Sequence, residues 1–349
     1  MFNIMKEVDK NYCINSFLQF RFVFNQDKIF AKNIIPNYIK PHPTVTIKNY
    51  HDIDKSIKKY FKENVDEKTV LMLSSGMDSA LLASYMPKGG MTFTLKCIAD
   101  NPTIDETKIA KKVAKLNGLK NEVIEVKWED YEKYIPILLK HKKAPFHSIE
   151  VQIYKAALKA KELGYNKLLF GESADCIFGG LDGILSKDWT FEEFVERYNY
   201  VPTKKVLNNY NLVLEPYEKC RTAKGIDAYK FISTFLYEEA VNSYTNACET
   251  AGCFFLSPFK EMKLGVALNL DKIRHGESKY LIRELFNKRY TDLPMNKKIP
   301  MPRPMDLWLK NWDGPKRKEF KNNSITELTG DAKWLVYILE YFLNYFQID

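Results

Sequence analysis

The chain has 349 residues, 45% hydrophobic and 14% aromatic, with a formal net charge of +9. That composition supports a full hydrophobic core and excludes a disordered chain, and the length suits one large α/β unit or two fused lobes. The longest apolar runs, such as 69–73, are too short to span a bilayer. The opening MFNIMKEVDK has no basic region followed by an apolar core, so no signal peptide and a cytoplasmic location are expected.

The excess positive charge is mostly Lys and is spread along the whole chain. It reads as a solvated face, and without an RNA-binding signature no nucleic-acid partner is expected. The six cysteines form no CxxC pair and lack the companions of a tetrahedral zinc site. Free thiols in a reducing compartment are expected.

Residues 1–62 read as a lead-in of short strands and turns, aromatic at 17–24 and broken at Pro36, Pro41 and Pro43. Helical spacing appears at 52–63. From 63 to 190 the pattern alternates. Strands fit 69–73, 91–97, 122–126 and 167–170, and helices fit 80–85, 105–117 and 150–163, the last two closed by Gly118 and Gly164. Such alternation predicts an α/β fold: a parallel sheet with helices on both faces. From 191 to 349 strand signals fade and aromatic-rich helices dominate, as at 228–245 and 332–346. This helical part reads as belonging to the same unit, with no flexible linker.

Two loops carry the chemistry. Ser74-Ser75-Gly76-Met77-Asp78-Ser79 follows the first strand and opens a helix. Small residues, backbone N–H groups and three hydroxyls suit phosphate oxygens. Asp78 would repel phosphate unless it holds Mg²⁺ that bridges to it. No Gly-Lys-Ser/Thr follows, so this is not a Walker A loop. The second loop, Gly171-Glu172-Ser173-Ala174-Asp175-Cys176-Ile177-Phe178-Gly179-Gly180, follows the last strand of the alternating region. Ligands bind beyond the carboxyl ends of strands in such sheets, so both loops fall on one edge. Asp175 is then a candidate second carboxylate on Mg²⁺, and Glu172 a candidate base for an attacking amine.

SSGMDS resembles the SGGxDS pyrophosphate loop of the PP-loop ATP pyrophosphatases. GESADCIFGG resembles the GEGADELFGGY segment of the asparagine synthetase synthetase domain, whose relatives include β-lactam synthetase, carbapenam synthetase and lasso-peptide cyclases. Supporting segments occur in order: Asp105-Glu106 opening a helix, Ala144-Pro145-Phe146, Leu256-Ser257-Pro258-Phe259, Lys279 to Glu284 (KYLIRE), and 297–302 followed by Trp308-Leu309. The resemblance covers almost the whole chain. It implies ATP on Leu73, Ser74, Ser75, Gly76, Asp78, Ser79, Leu95 and Gly171, with Mg²⁺ on Asp78 and Asp175. It implies Glu172 as the catalytic glutamate and a late lysine that stabilises adenylate and pyrophosphate charge, for which Lys297 and Lys298 are both candidates.

Several residues depart from the pattern. Ser75 and Ser173 replace Gly, Cys176 replaces Glu, and Lys143-Ala144 replaces Asp-Glu. Aspartate as the substrate is thereby put in question. Cys176, between acidic neighbours, is a poor nucleophile. His147 reads as a loop histidine, and Trp308 and Trp312 as core residues. A class II glutaminase needs Cys after the initiator Met, where this chain has Phe2. Nitrogen is therefore expected from free ammonia, a separate glutaminase or another amine.

The expected function is AMP- and pyrophosphate-forming amide ligation of a small-molecule carboxylate. Its nearest rival is the same chemistry on a non-aspartate acid, such as a sugar acid or natural-product intermediate, including lactam closure. A tRNA-modifying PP-loop enzyme would need a cysteine pair and an RNA-binding module. A non-catalytic nucleotide binder would not need Asp78, Glu172 and Asp175 together.

Overall fold

The computed structural model describes residues 6–291, 293 and 301–349. Its centre is a five-stranded parallel sheet: β1 (Thr69–Met72), β2 (Met91–Cys97), β3 (Lys120–Val126), β4 (Lys167–Leu169) and β5 (Phe254–Leu256). The order across the sheet is β5-β4-β1-β2-β3. Val70 pairs with Met91, Met91 with Lys120, Thr69 with Lys167, and Lys167 with Phe254. The chain winds from β1 to β3 in one direction, then returns to β1's other side for β4. The strand order therefore reverses between β1 and β4, where doubly wound sheets open a ligand crevice.

β1 is buried along its whole length, as a central strand covered on both faces must be. Helices Met77–Ala83, Thr107–Leu116, Trp128–Lys142 and Ile149–Glu162 connect the strands. Those at 77–83, 107–116 and 149–162 match the sequence expectation to within a few residues. Trp128–Lys142 has no counterpart in the sequence reading, and Pro136 in its interior obscures it. β5 is also an addition, a three-residue strand inside the region read as helical.

The lead-in has the expected short strands at Glu7–Val8, Lys28–Ile29 and Val45–Ile47, but it also holds a helix that was not expected. Residues 10–20 form a helix, with the Asp9 carboxylate accepting from the Tyr12 backbone N–H at 2.9 Å. Cys13, Ile14, Phe17 and Leu18 form its buried stripe, and Arg21 ends it in the left-handed region (φ 61°). The aromatic run suggested a strand because Phe is a good strand residue, but burial against the core decides otherwise. The second expected helix is present as Tyr50–Asn64.

The C-terminal part packs onto the sheet unit rather than standing apart. Residues 228–250 run helically through a π-turn at 232–236. Helix Gly330–Tyr345 buries Trp334 completely, and its indole N–H donates to the Phe146 carbonyl at 3.0 Å. Trp308 and Trp312 lie partly buried against the same core. Among the described residues no helix is long and apolar enough to cross a membrane. Among the described residues all six cysteines are buried and none forms a disulfide.

Trp334 ties the closing helix to the segment before helix Ile149–Glu162. Trp334→Ala is expected to lower unfolding free energy by about 3–5 kcal/mol, from lost burial and the cavity left behind. Urea unfolding followed by circular dichroism measures this.

Candidate active site

The loop after β1 is held by its own hydroxyls. The Ser74 backbone N–H donates to Ser79 Oγ at 3.1 Å, and the two hydroxyls lie 2.9 Å apart. The Gly76 N–H donates to Ser74 Oγ at 3.1 Å. This small ring shapes the strand-to-helix turn and leaves Asp78 in the first turn of helix Met77–Ala83. Leu73 sits just beneath, its N–H donating to the Phe93 carbonyl at 2.7 Å. Leu95 lies in the adjacent β2, opposite Ile124, and is only partly buried.

Ser75, which replaces a Gly of the resembled motif, has a partner. Its N–H donates to Glu106 Oε1 at 3.1 Å, and its hydroxyl donates to the same oxygen. Glu106 is buried at the start of helix Thr107–Leu116. The substitution therefore adds a tether between the loop and the second crossover helix. The sequence reading placed Glu106 at that helix start and gave it no role.

The loop after β4 approaches the first closely. A β-carbon on Gly171 would lie 2.8 Å from Asp78 Cβ and 3.0 Å from Ser79 N. A β-carbon on Gly180 would meet Asp175 Oδ1 at 2.0 Å. Ser173 takes a positive φ of 74°, a conformation that favours Gly and stores strain when another residue holds it. Its N–H donates to Glu172 Oε1 at 2.7 Å. The Glu172 backbone is fixed from β5, because the Ser257 hydroxyl donates to its carbonyl at 2.7 Å. The buried Tyr244 phenol lies beside the Glu172 side chain. Burial, and then the Glu172 charge, push the Tyr244 phenol well above its ordinary range, so it keeps its proton. Tyr244 had no place in the sequence reading.

Lys279 joins the two loops. Its ammonium lies 2.6 Å from Asp78 Oδ2 and 2.9 Å from Asp175 Oδ1. The side chain is 8% exposed. Its pKa is raised: burial works against the charge, but the two carboxylates outweigh it. Lys279 caps helix Tyr280–Arg289 with a left-handed backbone (φ 52°). The sequence reading carried it only as part of a resembled segment. Lys297 and Lys298 lie outside the described residues.

The carboxylate arrangement also bears on magnesium. Among the described residues, no three or more His, Cys, Asp or Glu side chains converge as a metal cage. Two carboxylates instead share one cation. That donor set suits Mg²⁺, which binds through one or two carboxylates and completes its shell with phosphate oxygens and water.

His147 is buried, unlike an ordinary loop histidine. One nitrogen meets the Arg21 guanidinium at 3.1 Å, and the other lies 3.7 Å from Glu239. Arg21 also pairs with Glu239 at 3.0 Å and stacks 4.0 Å over the Tyr200 ring. Burial, then the neighbouring cations, hold His147 well below its ordinary pKa, so it is neutral. Cys176 is buried too. Elsewhere, a 620 Å³ cleft is lined by residues such as Asp9, Tyr12, Val213 and Glu215. None of the sequence-predicted site residues lines it.

The asparagine synthase family model matches residues 54–252, which span both loops. The chain belongs to the asparagine synthase family. Among solved structures it is similar to an NH3-dependent NAD synthetase from Campylobacter jejuni, at 17% identity over 38% of this chain and 61% of that one, with a TM-score of 0.24. An NMN synthetase from Francisella tularensis matches at 12% identity, over 72% of this chain and 96% of that one, with a TM-score of 0.25. A predicted subunit of tRNA methyltransferase from Methanocaldococcus jannaschii matches at 14% identity, over 67% and 97%, with a TM-score of 0.25. The chain thus spans less than two thirds of the Campylobacter synthetase. A search of curated proteins finds no match.

Gly171 is where the two loops nearly touch. Gly171→Ala forces either the Asp78 helix turn or its own loop to move, and should destabilise the protein by about 1–3 kcal/mol. Chemical denaturation of the variant against wild type measures the difference.

Proposed function

We propose that this protein uses ATP to adenylate a carboxylic acid, releasing pyrophosphate, and passes the acyl group to ammonia or an amine. Membership in the asparagine synthase family supports an ATP-dependent ligase of the amidation type. The observation that carries the reading is local: two acid-bearing loops from adjacent strands meet at the switch point, with Asp78 and Asp175 sharing one cation.

In this reading the loop 74–79 binds the ATP phosphates at the start of helix Met77–Ala83, while its serine hydroxyls shape the turn. Leu73, Leu95 and Gly171 lie beside the nucleoside. Asp78 and Asp175 hold Mg²⁺, which when bound neutralises charge on the phosphates. The substrate carboxylate oxygen attacks the α-phosphorus, the bond to the β-phosphoryl oxygen breaks, and pyrophosphate leaves. The nitrogen nucleophile then attacks the acyl carbon and AMP leaves. Glu172 accepts the proton that the nitrogen loses. The Ser173 N–H holds that carboxylate, with the protonated Tyr244 phenol beside it. Lys297 or Lys298 is proposed to stabilise charge on the departing groups.

A non-aspartate acid is the favoured form of this proposal. Cys176 stands in place of a carboxylate close to the substrate, and Lys143-Ala144 in place of an acidic pair, so the recognition of aspartate is altered at two places.

The test incubates the protein with Mg·ATP, ammonium and a panel of acids that begins with aspartate, and measures pyrophosphate and AMP. Release that depends on one acid supports the reading; tight ATP binding without release for any acid and amine favours a non-catalytic nucleotide binder. Asp78→Ala is expected to abolish release with the fold intact, and unaltered turnover would refute the loop assignment. Glu172→Gln should spare adenylation, read by pyrophosphate exchange into ATP, and slow amide formation by about 10²–10⁴-fold. Equal loss of both steps would remove Glu172 from the base role.

A further inference from the structure

Lys279 competes for the two carboxylates that the proposed function gives to Mg²⁺. Its ammonium sits 2.6 Å from Asp78 and 2.9 Å from Asp175, one contact to each loop. A magnesium ion held by both carboxylates needs oxygens at about 2.1 Å, and so would fill the volume the ammonium now takes. Two cations that close repel strongly in a buried site. Lys279 in this position and Mg²⁺ on both aspartates therefore exclude each other.

The Lys279 backbone is anchored at a helix start, and its ammonium ends a four-carbon stem with rotatable bonds. The residue caps helix Tyr280–Arg289, which packs against helices Met77–Ala83 and Ala174–Phe178, the two that carry the aspartates. The four-carbon stem lets the ammonium swing without moving that helix. It needs another anion to swing toward, because a buried ammonium stripped of partners is costly. A triphosphate on the neighbouring loop supplies one.

We propose that Lys279 is an internal counter-ion that keeps the Asp78–Asp175 pair closed to a bare divalent cation and releases it only when a polyphosphate takes over its charge. Metal and nucleotide then bind cooperatively, each favouring the form the other needs. The inference rests on assigning the two loops to Mg·ATP, yet its test does not depend on turnover.

The probe is Mn²⁺ alone, titrated into nucleotide-free protein and followed by electron paramagnetic resonance of the free ion. Lys279→Gln should create a saturable Mn²⁺ site at least about tenfold tighter than any in wild type, since a positive charge within 3 Å is removed. Adding Asp175→Asn to that variant should abolish the site. Equal Mn²⁺ affinity in Lys279→Gln and wild type would overturn the proposal. If circular dichroism shows that Lys279→Gln does not fold, wild type decides against Asp78→Asn. No nucleotide-free site that Asp78→Asn weakens is expected, and a tight site that Asp78→Asn removes would overturn the proposal. Failure of pyrophosphate release with every acid leaves these metal titrations unchanged, so the two readings fail separately.

Discussion

The contact between the two loops governs the site. Asp78 and Asp175 come from loops about a hundred residues apart, and Gly171 lets those loops approach within van der Waals distance. Two carboxylates brought this close would repel in a partly buried setting. Lys279 offsets that repulsion with one ammonium shared between them. The arrangement is balanced rather than simply strong. Removing one partner from a buried ion cluster leaves uncompensated charge, which costs more than the pairing itself gains.

The departures from the resembled motifs take on meaning against this balance. Ser75 gives up the freedom of a glycine and gains a buried carboxylate partner in Glu106. That ties the loop 74–79 to helix Thr107–Leu116. Ser173 keeps the left-handed backbone that glycine would favour, so the loop geometry is retained at a cost in strain. Strain held at such a position is worth keeping when it aims a functional group. Here the Ser173 N–H is the group that grips Glu172.

Much of this was legible in the sequence. Apolar runs of strand length, each followed by a polar turn, marked β1, β2 and β4, and glycines marked the ends of two helices. The parallel sheet then placed both loops on one edge before any side chain was located. Other features were illegible for physical reasons. Residues 10–20 carry Phe17 and Phe20 in a run suited equally to strand and helix, and only tertiary burial selects the helix. β5 spans three residues, below the length at which alternation shows. Tyr244 and Lys279 lie 72 and 107 residues beyond Glu172, counted along the chain, and their spacing does not announce that they return to the two loops. Such partners are set by packing between distant helices.

The same packing sets the surroundings of Glu172. Glu172 receives a backbone N–H from Ser173 and has the Tyr244 phenol beside it, while its own carbonyl is pinned by Ser257 on the far side of β4. Because burial and the Glu172 charge both disfavour a phenolate, Tyr244 keeps its proton. Tyr244 also packs edge-on against Phe170, 4.9 Å between ring centres, at the end of β4. Glu172 is thus bounded by the sheet and by helix Tyr237–Thr250 at once, so the helical C-terminal part shapes the surroundings of the sheet edge directly.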